Sequence, residues 1–486
     1  MQGSSLKKNI VYQILYQILI LILPLVTSPY IARVIGAEGL GTYTYSYSVA
    51  YYFVLISMLG IGNYGNRAIA RCRDDREELN TVFSNIVFLH FIISFICILV
   101  YVIYSFGVSQ DRLYAQVQTI YVVSAFFDIS WFYFGIEKFK LTVTRNTIVR
   151  VVTVILIFTI VKTADDLLKY CIIMAISSLF SQLCLWIPIR KFVHIQKPEW
   201  NKMKKHLLPM LVLFIPTIAV SLYKYMDKIM IGAMSNKEQL GYYENAEKIV
   251  NVPAVIIQSF GTVMLPKMSN LMAKKDKGQA NKYMDTSMKY IMCMSIGLSF
   301  GLASVAPIFA PVFWGEKFLT SGYLIMGLSI TVPFISFANI IRTQYLLPAQ
   351  RDRDYLLSVI AGAIVNLLIN TLLINKYGAF GAMVGTIAAE IIVCVLQTIT
   401  IRRELPVIRY VKESLKFSIL GIIEFLVVYY EGIAFSKNIF TLILQMLSGA
   451  AIYGILITIY FIKTKDTLFY SLASKLTIIK KMIVDK

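Results

Sequence analysis

The sequence predicts an all-α integral membrane protein with about fourteen transmembrane helices. Of its 486 residues, 57% are apolar and only 15% are charged, whereas soluble domains have roughly 45–50% apolar and about 25% charged residues. A helix needs about 20 apolar residues to cross a bilayer, and apolar runs of that order recur along the whole chain. These runs are continuous rather than alternating, so they predict helices and not the strands of a membrane barrel.

Each apolar run predicts one span. The first run follows a short basic segment and has no small-residue cleavage site after a short core, so it predicts an uncleaved first span and not a signal peptide. The expected spans are about 10–28, 42–62, 81–105, 113–136, 147–162, 169–189, 208–233, 246–265, 287–313, 320–346, 355–375, 378–400, 415–431 and 439–462.

The positive charges support this series of spans and orient it. The net charge is +20, from 47 Lys and Arg against 27 Asp and Glu. With the N-terminus in the cytoplasm, 36 of the basic residues fall in cytoplasmic segments, 9 in outer loops and 2 within a span. Basic residues concentrate on the cytoplasmic side of membrane proteins, so both termini are expected inside. The same distribution argues against nucleic acid as a partner, because the charges are spread over eight segments.

A weak internal repeat predicts two similar lobes. The segments AEGLGTYTYS and KEQLGYYENA share Glu, Leu, Gly and Tyr at an offset of 200, and Gly60/Gly261 and Asp75/Asp276 match at an offset of 201. Six spans separate the copies, so both have the same orientation, as in transporters built from parallel repeats. We therefore expect a six-helix lobe over 1–205, a second over 206–405, and two further spans with a cytoplasmic tail over 406–486.

Enzymatic motifs give little support to a catalytic function. Gly60, Gly62 and Gly65 fit the dinucleotide pattern GxGxxG, but this segment follows a membrane span rather than a strand, so a tight turn at a helix end is the expectation. There is no P-loop, and the three histidines are scattered. The outer loops are too short to form a catalytic domain. We expect no enzyme, no catalytic residue and no metal site.

Charges within the spans are the sharpest functional signal. A charge at the bilayer centre costs about 2.5–3.5 kcal/mol or more, so it usually faces a cavity or a partner. Lys224, Asp227 and Lys228 lie at i, i+3 and i+4 and share one helix face. Asp227 can pair with one lysine, and the other is then available to an anionic substrate. Asp128, Glu390 and Glu424 are lone acids in other spans, and Arg33 and Arg342 lie near span ends.

The chain resembles the polysaccharide-transporter (Wzx-type) branch of the multidrug/oligosaccharidyl-lipid/polysaccharide (MOP) flippase superfamily. The resemblance covers about residues 10–465. It is carried by SPYIARVIGAEGLGTYTYS and LGIGNYGNRAIARCRDD in the first half, and by DKIMIGAMSNKEQLGYYENAEKIVNVP and GTVMLPKMSNLMAK in the second. It implies a MATE-like fold, with two six-helix lobes around a central cavity and two extra helices.

The resemblance also implies a function in the bacterial plasma membrane. Members of this branch move undecaprenyl-diphosphate-linked oligosaccharides from the inner to the outer leaflet for capsule, exopolysaccharide or O-antigen assembly. Cavity cations in the family meet the diphosphate, and the matching candidates here are Arg33, Lys224 and Lys228, with Asp227 as their counter-charge. The expected partners are the lipid-linked substrate, membrane lipids and the polysaccharide polymerase machinery.

Several alternatives stay open at this point. Related branches flip the peptidoglycan precursor or export drugs. The sequence distinguishes a peptidoglycan-precursor flippase poorly from an oligosaccharide flippase. Two lysines and one acid in span 7 argue against an exporter of cationic drugs, and short outer loops argue against a membrane polymerase or ligase. No cofactor is expected. Coupling to Na⁺ or H⁺ would use Asp128, Asp227 or Glu390, and nothing in the sequence chooses among them.

Overall fold

The computed structural model describes the backbone of residues 2–471 and the side chains of residues 23–218, 221 and 225–471. Within residues 2–471 all regular structure is helical, and short 3₁₀ or π segments join some of the helices. The α-helices are α1 (Gln2–Met58), α2 (Ile61–Cys72), α3 (Arg76–Gly107), α4 (Arg112–Phe126), α5 (Ser130–Gly135), α6 (Phe139–Ile160), α7 (Leu167–Leu183), α8 (Trp200–Met234), α9 (Lys237–Ala273), α10 (Lys277–Trp314), α11 (Leu319–Leu328), α12 (Thr331–Ile341), α13 (Asp352–Tyr377), α14 (Ala379–Ile401), α15 (Val407–Ala434) and α16 (Ile439–Lys463).

The expected membrane-spanning architecture is confirmed. In the described part of the chain, eleven helices are long and apolar enough to cross a membrane, and α11 with α12, bent by 42°, adds a twelfth span if the pair is counted as one. These twelve correspond to all expected spans except 10–28 and 208–233. Both of those segments include side chains outside the described residues. The exact count of fourteen therefore stays a prediction.

The connection between the first two expected spans differs from the sequence-based expectation. We expected a loop between residues 28 and 42, but α1 is helical from Gln2 to Met58 and is interrupted only at Gly36, where φ is 78° and ψ is 177°. Glycine reaches positive φ without the steric penalty of a Cβ atom. One residue is therefore enough to kink the chain between two helical halves.

The glycine-rich segment after α1 forms the expected turn. Gly60 has a φ of 76° and precedes α2. A Cβ atom at this position would lie 2.6 Å from the carbonyl oxygen of Met210 on α8. Helix α2 is short and amphipathic: it buries Ile61 and Ile69 and exposes Arg71. The interpretation of this GxGxxG match as a helix-end turn is confirmed.

The repeated aspartates begin helices. The side chain of Asp75 accepts hydrogen bonds from the backbone N–H groups of Glu77 and Glu78 at 2.9 and 3.1 Å, at the start of α3. The side chain of Asp276 accepts one from the N–H of Gln279 at 3.0 Å, at the start of α10. An aspartate at this position satisfies backbone donors that have no partner within the helix. The two repeat positions therefore have the same structural role.

By internal contacts the chain divides into two compact units. The first comprises Met1–Asn245 and Val359–Ala389, and the second Ala246–Ser358 and Glu390–Lys486. In the first unit, Ile61, Phe83 and Trp131 lie in an apolar core shared by α2, α3 and α5. In the second, residues of α10, α15 and α16 form a smaller core. This division is not the same as the expected lobes, whose boundaries at 205 and 405 stay a prediction.

Two copies of the repeated sequence meet within the first unit. A Cβ atom on Gly41 of α1 would overlap the carbonyl oxygen of Lys237 on α9, and a Cβ atom on Gly241 would overlap the carbonyl oxygen of Ala37. The two contacts are equivalent under the 200-residue offset. Only glycine allows the two backbones to come this close, which gives a physical reason for its presence in both copies.

We predict that Gly41→Ala and Gly241→Ala each destabilise the protein by about 1–3 kcal/mol, the usual cost of overpacking a tight contact. The expected result is a lower melting temperature for each purified variant in detergent. Gly454→Ala is the matched control, because a Cβ atom at this position on α16 meets nothing within 4 Å. Wild-type melting temperatures for both variants would contradict the close backbone contact.

Candidate functional site

The candidate site is centred on Asp227 of α8. The helix runs without a break from Trp200 to Met234 and so presents Lys224, Asp227 and Lys228 in the spacing that the sequence predicts. Asp227 is buried, with a relative exposure of 4%. The side chain of Lys224 lies outside the described residues, so its predicted role stays a prediction.

Three neutral side chains from three other helices bind the Asp227 carboxylate. The hydroxyl of Tyr243 on α9 donates to Oδ2 at 3.0 Å, and the hydroxyl of Thr386 on α14 donates to the same oxygen at 2.7 Å. The amide of Asn370 on α13 donates to Oδ1 at 2.6 Å. Burial of a carboxylate without such donors would be costly, so these contacts explain how a charged group is accommodated here.

Close packing of α13 and α14 brings Asn370 to the site. A Cβ atom on Gly381 would lie 2.6 Å from the backbone of Leu373, and one on Gly385 would overlap the side-chain oxygen of Asn370. These two glycines form the GxxxG pair of the expected twelfth span. Small residues at this spacing allow membrane helices to approach closely. Asn370 also donates to Asn366, one turn earlier, at 3.1 Å.

The hydroxyl groups around Asp227 have fewer protons than they have close contacts with other oxygen atoms. Tyr243 and Thr386 lie 2.8 Å apart, both contact Asp227 Oδ2, and Thr386 also lies 3.0 Å from the carbonyl oxygen of Ala382. A hydroxyl carries one proton, so the two hydroxyls supply two protons for four contacts between oxygens. An additional proton or a small monovalent cation at this position would relieve that deficit.

Lys228 has a different carboxylate partner from the one that the sequence predicts. Its Nζ lies 2.7 Å from Glu244 of α9, and both side chains are only 12–13% exposed. The expectation that Asp227 is the counter-charge of a span-7 lysine rested on spacing within one helix. Among the side chains that the structure describes, Tyr243, Asn370 and Thr386 donate to Asp227, and Glu244 is the carboxylate that pairs with Lys228.

Tyrosines surround the Lys228–Glu244 ion pair. The ring of Tyr225 lies 5.4 Å from Lys228 Nζ and stacks on Tyr51 of α1 with a centroid distance of 4.0 Å. Further along α1, Tyr47 stacks on Tyr121 of α4 at 4.9 Å. The tyrosine-rich stretch of α1 is thus packed inside the first unit, next to the ion pair, where both aromatic rings and phenol hydroxyls are available to a polar ligand.

A second ion pair joins two connections that are predicted to face outward. Lys237 at the start of α9 lies 2.9 Å from Asp111, which precedes α4, and its Nζ lies 3.2 Å from the ring centroid of Tyr45 on α1. The segment 237–244 of α9 therefore contacts α1 and the α3–α4 connection and also reaches both Asp227 and Lys228.

Other predicted site residues lie on α1, α14 and α15. Arg33 is exposed on α1, three residues before the Gly36 kink. Glu390 is half-buried on α14, four residues after Thr386, and belongs to the second unit. Glu424 is buried on α15 in the same unit, next to Gly301 of α10.

Asp128 lies at a break between two helices. The expected fourth span ends as α4 at Phe126 and resumes as the short helix α5 at Ser130. Asp128 Oδ1 accepts hydrogen bonds from the N–H and the hydroxyl of Ser130 at 2.8 and 2.6 Å, and Oδ2 accepts one from Gln182 at 3.2 Å. The bond from the N–H two residues on is that of an Asx turn, which here leads into α5.

The sequence matches a known protein family. The family model described as "Polysaccharide biosynthesis protein" matches residues 6–272, more than half of the chain. The chain belongs to this family. The resemblance that we inferred from residues is therefore confirmed.

Two curated relatives of the chain are named as transporters. A protein of Shigella dysenteriae named "Putative O-antigen transporter" is 22% identical over 392 residues, covering 80% of this chain and 98% of its own. One of the same name from Escherichia coli K12 is 23% identical over 410 residues, covering 82% and 97%. Their names describe transport rather than catalysis.

Solved structures show the same fold. The lipid II flippase MurJ, in an inward closed conformation, is similar with a TM-score of 0.75 at 18% identity, and the similarity covers 94% of this chain and 99% of that one. An inward-facing multidrug transporter of the MATE family in the MOP superfamily gives a TM-score of 0.58 at 14% identity and covers 80% and 96%. The chain therefore has the MOP-type fold that its sequence predicts.

Sequence reasoning identified Asp227 and Lys228 but missed most of their partners. Asn366 and Asn370 are two amides one helical turn apart in an apolar span, and that spacing is a signal that could have found them. Tyr243 was visible only as a repeat position. Glu244 follows it directly and carried no signal of its own.

We predict that Asp128→Asn preserves both stability and export, because an amide oxygen can still accept from Ser130. Asp128→Ala should lower the free energy of unfolding by about 0.5–1.5 kcal/mol, the usual net contribution of such a hydrogen bond. Thermal unfolding in detergent and an export assay in cells measure the two effects. An Asp128→Asn variant that is stable but does not export would instead indicate a role for Asp128 in coupling.

Proposed function

We propose that this family member is a flippase for undecaprenyl-diphosphate-linked oligosaccharide repeat units, and that it carries them from the inner to the outer leaflet of the bacterial plasma membrane. The names of the curated relatives support transport of a polysaccharide precursor. The observation that carries the proposal is Lys228, a largely buried cation on α8 among tyrosine rings. Capsule, exopolysaccharide or O-antigen is the expected destination of the sugar.

Lys228 would meet the diphosphate, together with Lys224 and, near the end of its span, Arg33. Only the charged, sugar-bearing head of such a lipid has to cross the membrane, since its prenyl tail stays in the bilayer. The tyrosines around Lys228 offer ring faces and hydroxyls to the sugars. An inside-negative potential favours the outward step by about 2.3 kcal/mol per charge per 100 mV.

The orientation and the remaining partners follow from the sequence. Both termini would face the cytoplasm, because basic residues are concentrated in the segments on that side. The polysaccharide polymerase machinery would receive the cargo at the outer face. Alternating access would come from rocking of two lobes, as in other parallel-repeat transporters.

Asp227 is our candidate for the coupling carboxylate, ahead of Asp128 and Glu390. Its oxygens lie among two hydroxyls and two amides, and the two hydroxyl protons are too few for the contacts that they make. A Na⁺ ion or a proton would fill that deficit. The contacts of Asp128 with Ser130 instead support a structural role.

The proposed function is tested by depleting the protein and analysing the lipid-linked sugars of each leaflet. We expect a lipid-linked oligosaccharide to accumulate at the cytoplasmic face while growth continues. Wild-type protein should reverse this accumulation, and a variant with both Lys224→Gln and Lys228→Gln should not, because the diphosphate then lacks its cations. The readout is the fraction of lipid-linked sugar accessible from outside.

Lys376→Gln is the matched control, since it removes the same charge from an exposed position at the end of α13. Export by a well-expressed double variant would contradict the role of the lysines. Accumulation of the peptidoglycan precursor with cell lysis would identify that lipid as the cargo instead. Unchanged lipids with raised drug sensitivity would indicate a drug antiporter.

We predict that Na⁺ or protons stabilise the wild-type protein and that Asp227→Asn abolishes this effect. A ligand that binds only the folded state at 100 times its Kd stabilises by about 2.7 kcal/mol. The measurement is the melting temperature in sodium chloride against N-methylglucamine chloride, and then at several pH values without sodium. Glu390→Gln is the comparison variant. If Glu390→Gln loses the cation effect and Asp227→Asn keeps it, the coupling carboxylate is Glu390 and not Asp227. A wild-type protein insensitive to both cations would overturn the coupling proposal.

A further inference from the structure

Two consecutive residues of α8 are paired with two consecutive residues of α9. Asp227 accepts a hydrogen bond from Tyr243 at 3.0 Å, and the next residue, Lys228, lies 2.7 Å from the next residue on the partner helix, Glu244. The proposed cation site and the proposed phosphate-binding lysine are thus adjacent on one helix. Their partners are adjacent on the other.

The two pairs face different surroundings. Successive residues of a helix point about 100° apart. Asp227 and Tyr243 meet Thr386 of α14, whereas Lys228 lies beside the rings of α1 and α8. Each pair therefore contacts a different part of the molecule, and the backbones of α8 and α9 each link the two pairs directly.

We propose that Tyr243 and Glu244 form a coupling element through which a cation at Asp227 controls whether Lys228 is available to an anionic substrate. This inference rests on the proposed role of Lys228 as a phosphate-binding residue. Tyr243 acts as a positioning residue, and Glu244 acts as an intramolecular competitor of the diphosphate.

The exchange of hydrogen bonds at Asp227 gives the physical basis. When the carboxylate has no cation, it needs the proton of Tyr243, and this hydrogen bond holds the first turns of α9 against α8. When Na⁺ or a proton neutralises the carboxylate, the hydroxyl of Tyr243 turns its proton to another acceptor. Because helical neighbours move together, the same shift withdraws Glu244 from Lys228.

The groups that face each pair limit what else could titrate. Toward Asp227, α9 contributes Tyr243 and α1 contributes Tyr52, while α13 and α14 contribute the neutral Asn370 and Thr386. Toward Lys228 lie Glu244 and the tyrosines Tyr225 and Tyr47. Among these described groups Asp227 and Glu244 are the carboxylates, and the proposed coupling runs from one to the other.

The test measures binding of a short prenyl diphosphate, farnesyl diphosphate, to the purified full-length protein with and without the cation. One arm compares sodium chloride with N-methylglucamine chloride at fixed pH. The other compares neutral with alkaline pH in the absence of sodium, where the diphosphate stays ionised. Coupling between two sites typically changes affinity by about 5–150-fold, so the wild-type protein should bind at least about 5-fold more tightly with the cation.

Two variants should each remove the dependence on the cation. In Tyr243→Phe, the hydrogen bond that holds α9 against α8 is lost, so Glu244 is withdrawn from Lys228; affinity should be high and the cation effect should fall to about 1-fold. In Glu244→Gln, Lys228 has lost its competitor, so affinity should be high with or without the cation. Tyr242→Phe is the matched control, because its hydroxyl donates to Glu238 at 2.7 Å, and it should behave as the wild type does.

Three results would overturn the inference. One is a cation effect in Tyr243→Phe as large as that of the wild-type protein. Another is low affinity in Glu244→Gln, and this result is sufficient by itself if Tyr243→Phe is not monodisperse. The third is a wild-type protein that binds the diphosphate without any cation effect. The leaflet assay after depletion is independent of all three, so the proposed flippase function can stand when the coupling element fails.

Discussion

The buried carboxylate of Asp227 is the constraint on which the site depends. A buried carboxylate in a membrane protein is stable only if hydrogen-bond donors replace the water that it loses. Here those donors come from α9, α13 and α14. Asn370 can reach the carboxylate because Gly381 and Gly385 let α13 and α14 approach closely. Four helices are thus held in register by one side chain. A change in the charge of that side chain acts on all four.

The first two turns of α9 bring the contacts of this site together. Between residues 237 and 244, one rigid segment makes four contacts with other parts of the first unit. In chain order these are Lys237 with Asp111, Gly241 with Ala37, Tyr243 with Asp227, and Glu244 with Lys228. Because a helix transmits displacement along its length, a shift at one contact is felt at the others. The segment therefore links Asp227, the proposed cation site, to the connections predicted to face outward.

Sequence patterns predicted the membrane-spanning helices well and the side-chain partners of Asp227 and Lys228 poorly. Hydropathy identifies the spans because the thickness of the bilayer fixes their length. The repeat at an offset of 200 matches Gly41 with Gly241, the two residues that make the reciprocal backbone contact. Lys228 pairs with Glu244, and the donors to Asp227 could not be foreseen, because spacing on one helix says nothing of residues more than 140 positions away, such as Asn370 and Thr386. Asp128 was expected inside a continuous span, but its own hydrogen bonds to Ser130 stabilise a break there.

The pairing of Lys228 with Glu244 suits a carrier better than a bare lysine would. Removing one partner from a buried ion pair costs about 3–5 kcal/mol, so Lys228 does not stay buried without an anion. In the proposed mechanism, exchange of Glu244 for a diphosphate would replace one anion by another and keep the lysine compensated in both states. The energy difference between the two states would then be small, which would allow both capture and release of the cargo. A lysine without a competing carboxylate would hold the diphosphate more tightly and release it more slowly.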